Sequence, residues 1–449
     1  MRVVPVVIPR LVTLVACVAV PCATASADPI SLRAAVETAL AHHPNLERGA
    51  ADHDVAAARI GRARSAYLPH INLQASGRDD YQDPSDFTSS ANMLGFANQF
   101  IYSGQVAVSQ LITDSGLTKA QLEGARANEQ QAHAQLVVSE LDVELGVVQA
   151  YLGVLQNKEL IDVSTGAIAL VDEQLKRATA LYKATMRPEI DVLSAQTQLA
   201  QAQLTLERDR NSVAAALVVL QNAMGTNEPR VVDVLPVDIN PLAEEGKVAD
   251  ELTATSLGQR PELAALRDSI NAADAAAHVA QTRTLPTVSV QAGAYTSGGV
   301  QPPLLGLAQW TPALGAFGLL AVNWDLYLGR DNYYELAGAH AQARSARAEL
   351  ELEKQAITSS VSQAALAVQI AREALTVATS TKTLAERQLQ LAKARYDSGV
   401  GNFVELNDAR SGLVNVERQE VMARYSLAAS RVALARELGR GPAGLATKQ

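Results

Sequence analysis

The sequence predicts a mainly α-helical chain with a membrane-inserted β part, built twice over. Three observations predict it. First, one long pattern recurs. Pro44 stands twenty-five residues before the proline of Leu68-Pro69, and Pro261 stands twenty-five before that of Leu285-Pro286, an offset of 217. Leu181-Tyr182, Asp191-Val192 and Ala195 then return as Arg395-Tyr396, Glu405-Leu406 and Ala409 at an offset of 214, with Gly225 and Gly439 closing the copies at that same offset. Second, between these points run long stretches rich in Ala, Gln, Leu, Glu and Arg, good helix formers with almost no interior proline. Third, each Leu-Pro is followed by an apolar/polar alternation of period two, which is the pattern of a strand with one apolar face. A duplication this long makes each half a structural unit about a pseudo-symmetry axis. The units are residues 28–230 and 251–440, with a linker at 231–250 and a short tail at 441–449. The three-residue change of register falls between Pro69 and Val108.

In chain order, residues 1–27 read as an export signal. Arg2 and Arg10 flank short apolar blocks, residues 11–20 form an apolar core, and Pro21 ends it before the small-x-small site Ala25-Ser26-Ala27. Cys17 and Cys22 both lie inside this segment, so cleavage after Ala27 leaves neither disulfide nor catalytic thiol. The competing reading is Leu14-Val15-Ala16-Cys17, which resembles a bacterial lipobox and would make Cys17 a lipidated N-terminus. No other segment offers the ~20 uninterrupted apolar residues of a membrane helix. Any spanning part must therefore be strands. Removing Arg2 and Arg10 leaves 36 basic against 47 acidic side chains, a net charge of −11. That excludes the basic footprint nucleic acid requires.

Residues 31–67, 115–224, 251–284 and 331–438 read as very long helices or pairs of them. The two longest are each divided once, at Thr185-Met186-Arg187-Pro188 and at Ser398-Gly399-Val400-Gly401, the same place in each copy. Each is thus a helical hairpin, and a first arm of about 65 residues at ~1.5 Å each is about 100 Å long. In copy two Ala364, Val368, Ala371, Leu375, Ala378, Lys382, Ala385, Leu389, Ala392 and Tyr396 keep a strict 4,3 spacing. Copy one matches with Ala150, Val154, Asn157, Ile161, Ser164, Ile168, Val171, Leu175, Ala178 and Tyr182. A sustained heptad means supercoiled packing, and the many small side chains let helix axes approach closely. The seam alone fits a plain coiled-coil rod equally well.

The strands separate the two readings. Ile71, Leu73 and Ala75 alternate with Asn72, Gln74 and Ser76, and Val288, Val290, Ala292 and Ala294 alternate with Ser289, Gln291 and Gly293. Returning strands are expected at 100–113 and 317–328, with polar loops at 79–98 and 297–315. Tyr67, Tyr81, Phe100, Tyr102, Tyr295, Trp310, Trp324 and Tyr327 gather here in a chain with only 4% aromatics, as in the interfacial girdles of a membrane barrel. A soluble sandwich would leave its strand edges open. Four strands cannot close a barrel, so closure requires several copies of the chain.

No Walker A loop, H-E-x-x-H or G-x-S-x-G occurs, so no enzyme activity and no cofactor are expected. His42, His43, His53 and Asp54 sit at a helix start without a clear i, i+4 ligand pair, and no metal is expected there.

Duplicated halves of helix, two strands, long helix and return helix behind an export signal resemble the TolC family of outer-membrane efflux proteins. The resemblance covers essentially the whole mature chain and is most specific at the tips, 181–192 and 394–409, in register with the two Leu-Pro strand entries. It implies a trimer. Four strands per chain would contribute to a 12-stranded β-barrel, continued across the periplasm by the hairpins as an α-helical barrel. It also implies the outer membrane of a Gram-negative bacterium, and passive service as exit duct of a tripartite efflux or type I secretion system. The implied partners are two further copies, a periplasmic membrane-fusion adaptor at the hairpin tips, an inner-membrane pump and outer-membrane lipid. By residue, Asp191 falls on the family's gate aspartate, Tyr396 on its gate tyrosine, and Glu405 and Asp408 on an acidic entrance ring. Gly401 stands where the family prototype has its gate arginine, and Arg187, the copy-one equivalent of Gly401, could supply that cation. The alternative is a periplasmic coiled-coil scaffold without a pore.

Overall fold

The computed structural model describes residues 29–81, 98–226, 233–301, 309–326 and 329–445. The expected export signal with both cysteines, and Tyr327 of the aromatic set, lie outside the described residues. The first repeat runs α1 (Leu32–His42), α2 (Pro44–Ser65), β1 (His70–Tyr81), β2 (Asn98–Thr113), α3 (Leu117–Lys183) and α4 (Glu189–Ala223). The second runs α5 (Ala249–Gln259), α6 (Pro261–Thr282), β3 (Thr287–Gln301), β4 (Gln309–Asn323), α7 (Asp331–Asp397) and α8 (Phe403–Glu437). Both first arms have 67 residues and both return arms 35. The duplication is thus kept to the residue.

The repeated prolines and glycines have one shared cause. Pro44 and Pro261 occupy the first position of α2 and α6, where a missing N–H costs nothing. Each also forces its predecessor out of the helical region, so His43 and Arg260 are extended (ψ 125° in both) and split the expected long helix into a pair. Gly225 and Gly439, at φ +70° and +78°, end the return arms left-handed and lie against those breaks. A Cβ on Gly225 would sit 2.8 Å from His43 Cα, and one on Gly439 would sit 3.1 Å from the Gln259 carbonyl carbon. Glycine is required there both for its conformation and for the close approach.

α3 packs along α4 and α7 along α8, while α3 against α8 joins the two hairpins. The four-helix order is therefore α4–α3–α8–α7. On the barrel side α2, α3, α6 and α7 follow one another in the same way. Seam positions behave as their spacing predicts: Val154, Ser164, Val171, Ala178, Val368, Ala371, Ala385, Ala392 and Tyr396 are buried. Tyr182 is the exception, 43% exposed where its counterpart Tyr396 is 1% exposed. Lys382 fits into a seam because its ammonium is 2.7 Å from Glu420 on α8.

The strands form one antiparallel sheet in the order β1-β2-β3-β4. Two sequence expectations need correcting. The polar loops and the return strand are displaced: β3 continues to Gln301, and β4 begins at Gln309 and ends at Asn323 instead of spanning 317–328. Ladder bonding carries Gly- and Pro-containing backbone here, Pro312 being paired with Gly298 on an edge strand where a missing N–H is tolerated. Tyr295 also leaves the girdle. Ile71 pairs with Val108 and Val108 with Ala292, so these share the apolar face, while Tyr295 has the opposite parity with Gln291 and Gly293. Phe100 and Tyr102 keep to the apolar face at one end, and Tyr67 and Trp324 lie exposed at the other. Among the described residues no helix is long and apolar enough to cross a membrane.

Candidate functional site at the hairpin tips

At the tips the four helices converge on a small core of Ala195, Ala392, Tyr396, Phe403, Leu406 and Ala409. Thr185 and Gly399, at φ +58° and +80°, turn the two hairpins at equivalent positions. Tyr396 is fully enclosed, its ring edge-on to Phe403 with centroids 6.3 Å apart. Its hydroxyl donates to Asp191 Oδ2 at 3.3 Å, and the carboxylate itself is buried. Burial and then the Asp191 charge push the Tyr396 hydroxyl above its usual pKa, with Arg187 opposing.

Arg187 lies with its guanidinium carbon 4.6 Å from the centre of the Tyr396 ring. One of its nitrogens donates to the carbonyls of Tyr396 (3.2 Å) and Gly401 (2.8 Å). The two symmetry-equivalent positions, 187 and 401, therefore meet within one protomer. A side chain at Gly401 is poorly accommodated, because its Cβ would sit 3.0 Å from Tyr396 N and 3.1 Å from Arg395 Cβ. Any side chain there requires the backbone at Arg395 and Tyr396 to give by a few tenths of an ångström.

The two acids of the second tip differ. Asn402 caps α8 by accepting from Glu405 N at 2.7 Å, which makes Glu405 the acid at the third helical position, in the first turn. Its carboxylate pairs with Arg395 at 2.9 Å. Asp408 is exposed and has no hydrogen bond or ion pair among the described residues.

Three groups of contacts escaped the sequence. Arg177 bridges to Asp397 and Lys393 to Glu173 (2.9 Å), fastening α3 to α7 just above the tip. Arg410 is buried, donating to Gln198 Oε1 and Asn407 Oδ1 at 2.8 Å each, with Nη1 unpartnered. Burial lowers its pKa. Higher up, Arg418 grips Asp209 through two bonds of 2.8 and 3.0 Å, and Ser164 donates to the same carboxylate. Ser164 was legible as a polar residue on the seam; its partners were not. His53 proves to be a helix-packing residue, its Nε2 2.9 Å from Glu129.

Residues 35–226 and 252–440 match the family described as outer membrane efflux protein. The chain belongs to this family. Among relatives it is 24% identical to Protein CyaE of Bordetella pertussis, over 92% of this chain and 85% of that one. It is 22% identical to the outer membrane protein TolC of Escherichia coli, over 88% and 80% of the two chains. The fold is that of CusC, whose crystal structures concern transmembrane channel formation (TM-score 0.76, 16% identity, 91% and 92% covered). It is also that of the open state of the Neisseria gonorrhoeae MtrE outer membrane channel (TM-score 0.72, 17% identity, 91% and 89% covered). This outer-membrane efflux protein thus places its four strands in the outer membrane and its long hairpins in the periplasm, and a pore-less scaffold has no support.

Proposed function

We propose that three copies of this efflux protein close one continuous duct, entered at the hairpin tips and open at the barrel. The observation that carries this reading is a matched pair of free flanks. The sheet ends in two unpaired edges, β1 and β4. The helical layer ends in α4 and α7, and both flanks expose large aliphatics in heptad register, at every heptad on α7 and every second one on α4. On α7, Ile370, Val377, Leu384 and Leu391 are 60–70% exposed at steps of seven; on α4, Ile190, Leu204 and Val218 are 53–63% exposed at steps of fourteen. Large aliphatics are not left in water at seven-residue spacing without a partner helix. A neighbouring copy offers one, α7 of one protomer against α4 of the next, in step with β4 against β1.

The duct is passive. A periplasmic adaptor engages the tips and an inner-membrane pump supplies the energy. Asp191, Tyr396 and Arg187 hold each tip shut from within its own protomer, so the adaptor must separate α4 from α7 and α8 to open it. Asp408, backed by Glu405, lines the mouth as a three-fold acidic ring, the usual device for cation preference. The experiment is recovery of heat-dissociable trimers from outer-membrane fractions, followed by planar-bilayer recording. Low-conductance, cation-preferring channels are expected, and trimers that pass no ions would overturn the reading.

A further inference from the structure

The strand β4 breaks the rule its neighbours obey. A membrane barrel around an aqueous lumen alternates apolar-out with polar-in. β1 does so: Ile71 and Leu73 are 77% and 75% exposed on the outer face, with His70, Asn72, Gln74 and Ser76 on the other. Between Ala313 and Val322, β4 is apolar on both faces. Leu314, Leu320 and Val322 share the outer face through their pairing with Thr296, Val290 and Val288. The inner face reads Ala313, Gly315, Phe317, Leu319 and Ala321, five alternate positions without a polar side chain.

Two of the rings on that face have a structural duty. Tyr295 lies over its cross-strand partner Gly315, where a Cβ would come within 2.5 Å of the ring. Phe317 lies over Gly293, its nearest ring atom 3.0 Å from where a Cβ would stand. Rings that cover cross-strand glycines stabilise the sheet. That duty occupies one side of each ring, however, and accounts for neither Leu319, 50% exposed, nor Ala313 and Ala321 on the same face. The adjoining inner face of β3 adds Ser289, Gln291 and Ser297 but no charge. This wall therefore offers an ion no charged side chain.

We infer that Tyr295, Phe317 and Leu319 form an apolar lane on the lumenal wall, a transient resting surface for neutral apolar or aromatic small molecules in transit. The inference rests on the proposed three-copy duct, in which three such lanes alternate with the polar inner faces of β1 and β2. What meets the lane is whatever passes along the conduit, and an uncharged apolar wall favours uncharged apolar cargo.

The test uses the full-length trimer in planar bilayers. The probe is N-phenyl-1-naphthylamine, a neutral aromatic, with raffinose as a neutral polar control. The wild-type potassium current should show brief probe-induced interruptions and none from raffinose. In the Phe317→Ser/Leu319→Asn variant the unitary conductance should persist while the interruptions shorten by roughly tenfold, the equivalent of about 1.4 kcal/mol of lost contact. Leu319→Ser alone, which leaves both glycine-covering rings in place, should shorten them in the same direction and guards against a folding defect in the double variant. Interruptions of equal length in either trimeric variant, or a conducting wild type that the probe never interrupts, would overturn the lane. A wild type that does not conduct at all would instead overturn the duct on which it rests.

Discussion

At the scale of single residues, the group with most at stake is Asp209. Burial alone would raise its pKa, but the hydrogen bonds from Arg418 and Ser164 and the Arg418 charge outweigh it and hold it below the ordinary 3.8. A depressed carboxylate stabilises the fold fully above its unfolded pKa, and the contribution is lost as pH falls through the lower folded value. Acid should therefore loosen the contact between α8 and the first hairpin only below about pH 4, the ordinary carboxylate range. Asp209→Ala strands Arg418 and should cost about 3 kcal/mol in reversible denaturation, the low end for a buried pair because Arg418 keeps some contact with water. At the tip, Tyr396→Phe removes the one side-chain donor to Asp191 and leaves a buried carboxylate unpaired, a loss of about 1–3 kcal/mol from the closed form. Basal conductance should rise, as it should in the Asp191→Ala/Arg187→Ala variant together with sensitivity to large antibiotics. Unchanged conductance in both would mean that the tips are shut by other contacts, the Arg177–Asp397 bridge first among them.

At the scale of elements, the proposed duct gives the outer face of the sheet and the flanks α4 and α7 partners outside the protomer. Val290 lies on the outer face of β3, paired with Gln110 and Leu320. Arginine there should cost about 2–4 kcal/mol near the bilayer midplane and abolish trimer recovery from membranes. Undiminished trimer would reverse the assignment of the sheet's two faces. The α7 flank allows a separate test in the periplasmic part. Val377→Glu/Leu384→Glu introduces charge at two exposed positions, so the isolated hairpin should keep its helicity by circular dichroism while assembly fails. Loss of helicity would show that these residues serve the hairpin itself.

In the proposed three-copy duct, three-fold repetition turns small local differences into properties of the mouth. Glu405 is already paired with Arg395, whereas Asp408 has no partner among the described residues. Asp408→Asn should therefore remove three uncompensated charges and most of the cation preference, measured as a shift in reversal potential under a salt gradient. Glu405→Gln would free Arg395, so it should weaken cation preference by adding an unpaired positive charge. Selectivity unchanged in both variants would place these side chains outside the ion path.

The duplication, the two hairpins, their seams and the alternating starts of β1 and β3 were all legible in the amino-acid order. Each of these is a periodicity, and periodicity depends only on the geometry of the local backbone. The same order also placed Pro44, Pro261, Gly225 and Gly439 correctly as repeated points, although their common purpose emerged only when each glycine was seen to lie against the break made by its own repeat's proline. The rest depended on how the elements pack. Pro312 and Gly315 read as loop residues, yet ladder pairing with β3 holds them in a strand. Tyr295 was indistinguishable from girdle aromatics until the register fixed its face. Tyr182 and Tyr396 occupy the same place in the repeat, but only Tyr396 is enclosed. The Arg187–Tyr396, Asp191–Tyr396 and Arg418–Asp209 contacts join residues more than two hundred positions apart. No local pattern encodes such pairs, because they depend on how two nearly equivalent hairpins break their symmetry when packed side by side.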